Sequence, residues 1–95
     1  MNKVIGAYLA DTPPRVAQLR AAANAGDAEA LRQAAHALKS SSANVGAEQM
    51  AALCKEIETL GRRGGGDGVR SLVARVEAEV ARVIGALAAQ IEGGA

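Results

Sequence analysis

The sequence predicts an all-α protein, an antiparallel four-helix bundle with a short extra helix at its N-terminus. Three observations carry that prediction. Apolar residues recur at spacings of three and four along most of the chain, and no stretch alternates apolar and polar residues as a half-buried strand would. The 49 % hydrophobic content comes almost wholly from Ala, Val, Leu and Ile, with a single aromatic residue, Tyr8. Ala is the best helix former, and small side chains let helices approach closely. Finally, the periodic stretches are joined by short connections, which make neighbouring helices antiparallel. At 95 residues the chain forms one domain, 1–95, around one compact core.

The elements follow in order. A short helix is predicted over 2–10, with Val4, Ile5, Tyr8 and Leu9 on one side. The run Asp11-Thr12-Pro13-Pro14 is expected to break it, with Thr12 as an N-cap and Pro13 in the first turn of the next helix, where a missing N–H has no partner to lose. That next helix, over 13–24, carries Val16, Leu19 and Ala23 and ends near Gly26. Asp27 is the expected N-cap of a helix over 28–44, with Glu29 adding favourable negative charge in its first turn. Gly46 suits a left-handed C-terminal stop.

A helix over 47–61 places Met50, Leu53, Cys54, Ile57 and Leu60 at helical spacing, with Arg62 and Arg63 at its C-terminal end. The segment Gly64-Gly65-Gly66-Asp67-Gly68 reads as a linker; with no preceding strand and no Gly-Lys-Ser/Thr ending, it is not a phosphate-binding loop. The last and longest helix, over 69–92, carries Leu72, Val73, Val76, Val80, Val83, Ile84, Leu87 and Ile91 close to heptad spacing, and Gly93 and Gly94 end it.

Composition excludes several functions. Eleven basic and ten acidic residues leave a net charge of +1, without the basic stripe that nucleic acid demands. One aromatic residue offers no base-stacking platform and few walls for an aromatic-lined pocket. No apolar run approaches the roughly eighteen residues of a membrane span, so no direct membrane contact is expected. No signal-peptide pattern opens the sequence. The single Cys54 makes no internal disulfide and fits a reducing, cytoplasmic compartment.

The single histidine can be placed by geometry. At about 100° per residue, Leu31, Ala34, Ala35, Leu38, Ser42 and Val45 fall in one arc of their helix, the core stripe. His36 falls nearly opposite, sharing an outer face with Glu29, Arg32, Gln33, Lys39, Ser40 and Ala43. A lone histidine, with Cys54 on the core stripe of another helix, is no metal site. A His-based hydrolase would need a nucleophile and an orienting acid that the pattern does not place. What remains is an exposed imidazole with Lys39 at i+3 and Arg32 one turn earlier. Neutral imidazole is a nucleophile near neutral pH. A nearby cation favours the unprotonated ring, and Lys39 can afterwards pair with phosphoryl oxygens. Taken alone, Lys39 and Arg32 read more simply as a solvated face.

The surrounding residues change that balance. The stretch Ala35-His36-Ala37-Leu38-Lys39-Ser40-Ser41-Ser42-Ala43-Asn44-Val45-Gly46-Ala47 resembles the signature of histidine-containing phosphotransfer (HPt) domains. These domains pass a phosphoryl group between the aspartates of response-regulator receiver domains. The family pattern has His, then Leu-Lys, usually Gly-Ser-Ser, and a Gly ten residues after the His. His36, Leu38, Lys39, Ser41, Ser42 and Gly46 match it, and the helix order extends the resemblance over nearly the whole chain. Ser40 stands where the family often has Gly; it is small, and its hydroxyl can donate to phosphate. In some relatives a Gln on the next helix lies beside the His. The corresponding residue here is Glu58, which either orients Lys39 or the imidazole or is simply solvated.

The resemblance implies that a ring nitrogen of His36, Nε2, attacks the phosphorus of a receiver aspartyl phosphate in line. The Mg²⁺ and acidic pocket belong to the receiver, so no cofactor or metal of this chain is implied. No ATP-binding element is present, and the chain is expected to be a monomeric phosphoryl carrier rather than an enzyme. Ala43 and Ala47, with exposed parts of the region from Tyr8 to Pro14, are the expected docking surface. The sequence fits either a free-standing protein or, with its start at Met1 and its Gly-Gly-Ala end, a terminal domain excised from a hybrid sensor kinase, whose membrane-bound parent would hold it on the cytoplasmic side. The competing reading is a helical interaction or dimerisation module, in which the Val-rich last helix packs against another copy.

Overall fold

The computed structural model describes residues 3–66 and 68–93. Asn2, Asp67 and Gly94 lie outside the described residues, as do the side chains of Val4 and Ile91. Among the described residues four helices follow one another: α1 (Lys3–Ala25), α2 (Ala28–Asn44), α3 (Glu48–Arg62) and α4 (Val69–Gly93). Each packs on its chain neighbour and α4 closes back on α1, while α2 and α3 share the most extensive interface. The bundle is elongated, 45 × 19 × 18 Å.

The break expected at Asp11–Pro14 does not occur. Residues 3–25 form one helix with Pro13 and Pro14 inside it, so the extra N-terminal helix is the first half of α1, and Thr12 caps nothing. The physical reason is a continuous buried stripe. Tyr8, Thr12, Val16, Leu19 and Ala22 are all buried, at spacings of four, four, three and three. Each proline removes one i→i−4 hydrogen bond, at a cost of about 3 kcal/mol in a helix interior. Both prolines are exposed, however, and lie off the buried stripe. Tertiary burial of the stripe overrides the local preference.

The core combines that stripe with Leu31, Ala34, Ala35 and Leu38 of α2, Met50, Cys54 and Ile57 of α3, and Val69, Val73, Val76 and Val83 of α4. One polar bridge crosses it, where Tyr8 Oη and Ser42 Oγ lie 2.9 Å apart and tie α1 to α2. Burial raises the Tyr8 hydroxyl above its ordinary range and pushes the Cys54 thiol up to about 12, which makes Cys54 inert. On the surface Arg20 grips Glu77 through both carboxylate oxygens, joining α1 to α4.

The ends of α2 are fixed by named devices. Asp27 is the N-cap, its side chain accepting from the Ala30 N–H at 3.0 Å. Asp27→Ala should therefore lower stability by about 1 kcal/mol, read as a drop of several degrees in melting temperature, while Asp27→Asn should hold most of it. At the other end Gly46 adopts φ +78, and the Ala47 N–H reaches the Ser42 carbonyl at 2.8 Å while the Gly46 N–H reaches that of Ala43 at 3.1 Å. This is a Schellman stop, for which a residue without Cβ is favoured.

Candidate functional site

The middle of α2 carries the site. Leu31, Ala34, Ala35, Leu38 and Ser42 are buried, so the helix is locked in rotation and presents His36 outward with 57 % of its side chain exposed. Ser40 and Ala43, one and two turns further on, are exposed on the same face. Within the phosphotransfer-like motif, Leu38 and Ser42 thus serve the core, while His36, Lys39, Ser40 and Ala43 face out or border the surface. Gly46 contributes the helix stop.

Glu58 of α3 organises the charges. It is only 2 % exposed, and three cations or donors converge on it. His36 Nδ1 lies 2.9 Å from Oε2, Lys39 Nζ 2.6 Å from Oε1, and an Arg62 guanidinium nitrogen 3.1 Å from Oε2. The Lys39 hydrogen bond holds the Glu58 carboxyl below its usual range against the opposing effect of burial, and His36 adds to the lowering. An ionised carboxylate only accepts, so Nδ1 of His36 is the protonated nitrogen and donates. In the neutral ring that leaves the lone pair on Nε2, which has no hydrogen-bond partner among the described residues. The same contacts make a prediction about stability. A depressed folded-state carboxyl stabilises the fold above its unfolded value and loses that contribution as pH falls through the folded value. The melting temperature of Glu58→Gln should therefore decline less steeply than that of the parent as pH is lowered below about 4.5.

Glu58 is not simply solvated, and Lys39 is not a free cation beside the ring. Arg32 is tied to Glu29 by two hydrogen bonds, 3.0 and 2.6 Å long, so much of its charge is already matched. The Glu29 carboxyl is held down to about 2 by that guanidinium. Of the Tyr8–Pro14 region, Tyr8 and Thr12 are buried, while Asp11, Pro13 and Pro14 are exposed; Ala47 is half-buried. Arg62 is the partner that sequence reasoning missed. Its signal was present, because it stands four residues after Glu58 on the same helix. No group of three or more His, Cys, Asp or Glu side chains among the described residues is placed to hold a metal.

The sequence pattern of the Hpt domain matches residues 3–91. The chain belongs to the Hpt domain family. Among solved structures it is similar to histidine-containing phosphotransfer protein B (HptB) from Pseudomonas aeruginosa PAO1, at 37 % identity and a TM-score of 0.88, over 92 % of this chain and 76 % of that one. No curated protein matches it. As an Hpt domain the chain is a phosphocarrier, a relay intermediate of two-component signalling, and Hpt proteins interact with receiver domains. The dimerisation reading loses its basis in α4. Val69, Val73, Val76 and Val83 are buried within the bundle, and Leu72, Val80 and Leu87 pack against the same core.

Proposed function

We propose that His36 accepts the phosphoryl group from the aspartyl phosphate of one receiver domain and passes it to the aspartate of another. The observation that supports this reading is the 2.9 Å contact between His36 Nδ1 and the buried Glu58, which favours the tautomer that leaves Nε2 free as the nucleophile. Nε2 attacks phosphorus in line, and the P–O bond to the receiver aspartate breaks with its electron pair leaving on the carboxylate. Lys39 exchanges one carboxylate contact for phosphoryl oxygens as charge arrives; its ammonium is half-buried and linked to the site through Glu58. Ser40 and Ala43 form the docking surface beside the ring, with Gly46 and Arg32 at its edges.

The receiver brings Mg²⁺ and the acidic pocket. The carrier supplies position and charge, which is most of what phosphoryl transfer needs. It has no ATP site of its own, works as a monomer, and makes no direct membrane contact. No helix among the described residues is long and apolar enough to cross a membrane. We place the domain in the cytoplasm, free or at the cytoplasmic end of a membrane-bound hybrid sensor kinase. The test is transfer of labelled phosphate from a phosphorylated receiver. Acid-labile, alkali-stable label on the parent and none on His36→Gln supports the reading, and label persisting on His36→Gln overturns it.

A further inference from the structure

A carboxylate beside Nδ1 has a consequence for the phosphorylated ring as well as for the free one. When Nε2 takes up the phosphoryl group, its lone pair becomes the P–N bond, and the ring still carries the Nδ1 proton. The product is a phosphoimidazolium, with a cationic ring and a dianionic phosphoryl group. Two fates follow. If the proton stays, an incoming receiver carboxylate attacks phosphorus, the P–N electron pair returns to Nε2, and the departing ring is neutral imidazole. If the proton is lost, the same attack must expel an imidazolate anion, a far poorer leaving group.

The residue facing Nδ1 decides between these states. An ionised carboxylate can only accept a hydrogen bond, so it stabilises the protonated ring and repels the bare nitrogen lone pair. An amide at that place can turn over and donate its NH₂ to the bare nitrogen, so it tolerates either state. Glu58 is ionised, buried, and aimed at Nδ1 from 2.9 Å. The other charges around the ring are Lys39 and Arg62, both on Glu58, and Arg32, paired with Glu29. In the free carrier Lys39 on Oε1 and Arg62 on Oε2 moderate the carboxylate and hold it in place; once Lys39 turns to the phosphoryl oxygens, Arg62 still holds Oε2 beside the ring.

We propose that Glu58 is a positioning residue that retains the Nδ1 proton on phosphorylated His36, keeping the phosphoryl group in its readily transferred form at and above neutral pH. No proton has to enter or leave during a transfer cycle, because the ring arrives and departs as the same tautomer. The inference rests on His36 being the phosphorylated residue, and the two can fail separately.

The experiment charges the parent and Glu58→Gln with potassium phosphoramidate and follows loss of phosphohistidine from pH 5 to 10, alongside ¹⁵N NMR of the labelled ring. Melting curves establish that both variants are folded. An opposite charge within hydrogen-bond distance shifts protonation by about one pH unit or more. The parent's labile limb should therefore extend about one pH unit further to the alkaline side than that of Glu58→Gln. Near pH 8 its phosphohistidine should decay several-fold faster, with Nδ1 still giving a protonated-type nitrogen signal. Coincident pH profiles, or a parent Nδ1 already bare at pH 7, overturn the role of Glu58 and leave His36 as the carrier. Label that appears equally on His36→Gln overturns the carrier assignment and the inference with it.

Discussion

His36→Gln is expected to reduce phosphoryl uptake from a charged receiver to background while leaving the bundle folded. The side chain is 57 % exposed, and the core stripe of α2 passes through Ala35 and Leu38 rather than through the histidine, so its removal opens no cavity. Its loss removes one of three contacts to the buried Glu58, which keeps Lys39 and Arg62, so the stability cost should be about 1 kcal/mol. Glutamine has no ring nitrogen to carry phosphate, and Ser40, the exposed hydroxyl on the same face, lacks the tautomer-fixing carboxylate that Glu58 gives His36. Lys39→Ala should be graded rather than absolute. A hydrogen bond between charged groups contributes roughly 1.5–3 kcal/mol, and each 1.4 kcal/mol is tenfold in rate, so transfer should slow about tenfold to a hundredfold. Part of that loss comes through Glu58, which would keep Arg62 and His36 but lose its shortest contact. Single-turnover transfer from one labelled receiver, with the variants side by side, separates the two effects.

These outcomes concern residues that were largely legible in the sequence. The outward face of α2 followed from a 100° rotation per residue, and the structure buries Leu31, Ala34, Ala35, Leu38 and Ser42 while exposing His36. Side-chain periodicity is a local property, so it survives without knowledge of neighbours. What the sequence concealed were the cases where a neighbour decides. Pro13 and Pro14 carry a strong local signal to stop, yet α1 continues because Tyr8, Thr12 and Val16 must lie on one buried face. Glu58 is a charged residue on an amphipathic helix, for which solvation is the ordinary expectation. Its burial depends on α2 delivering Lys39 and the imidazole across the helix interface. The motif resemblance pointed to the position, but it could not supply the three partners that stabilise a carboxylate there. Ser42 was placed on the core stripe by periodicity, but its partner was not legible, because Tyr8 stands 34 residues away.

Gly61 is where such a neighbour effect has its largest expected consequence. Its position near the end of α3 resembles a helix stop, yet α3 continues to Arg62, and the next turn is closed by the Gly64 and Gly65 N–H groups. Gly61 is buried because α2 lies against it. A Cβ placed there would stand 3.0 Å from the Ala28 carbonyl oxygen, 3.0 Å from Arg32 Cβ and 3.1 Å from Arg32 Cα. Two of these are backbone atoms of a packed helix, so no side chain can swing aside. Gly61→Ala gains about 1 kcal/mol of helix propensity, but overpacking costs about 1–3 kcal/mol, and the balance should be mildly destabilising. Gly61→Leu gains nearly the same propensity but must fit a whole side chain against those atoms, and should cost several kcal/mol, a loss that threatens a domain this small. The reach of the change is chemical as well as mechanical. Gly61 follows Glu58 by three residues, and Arg32 precedes His36 by four, so the close approach lies one turn from the 2.9 Å contact on both helices. Parting α2 from α3 at Gly61 lengthens the reach of Glu58 to the ring and to Lys39. In Gly61→Ala, melting temperature should fall by a few degrees, and transfer rate should fall more than the folded fraction does. A variant that loses stability while keeping its full transfer rate would show that the site tolerates looser helix packing than these distances require.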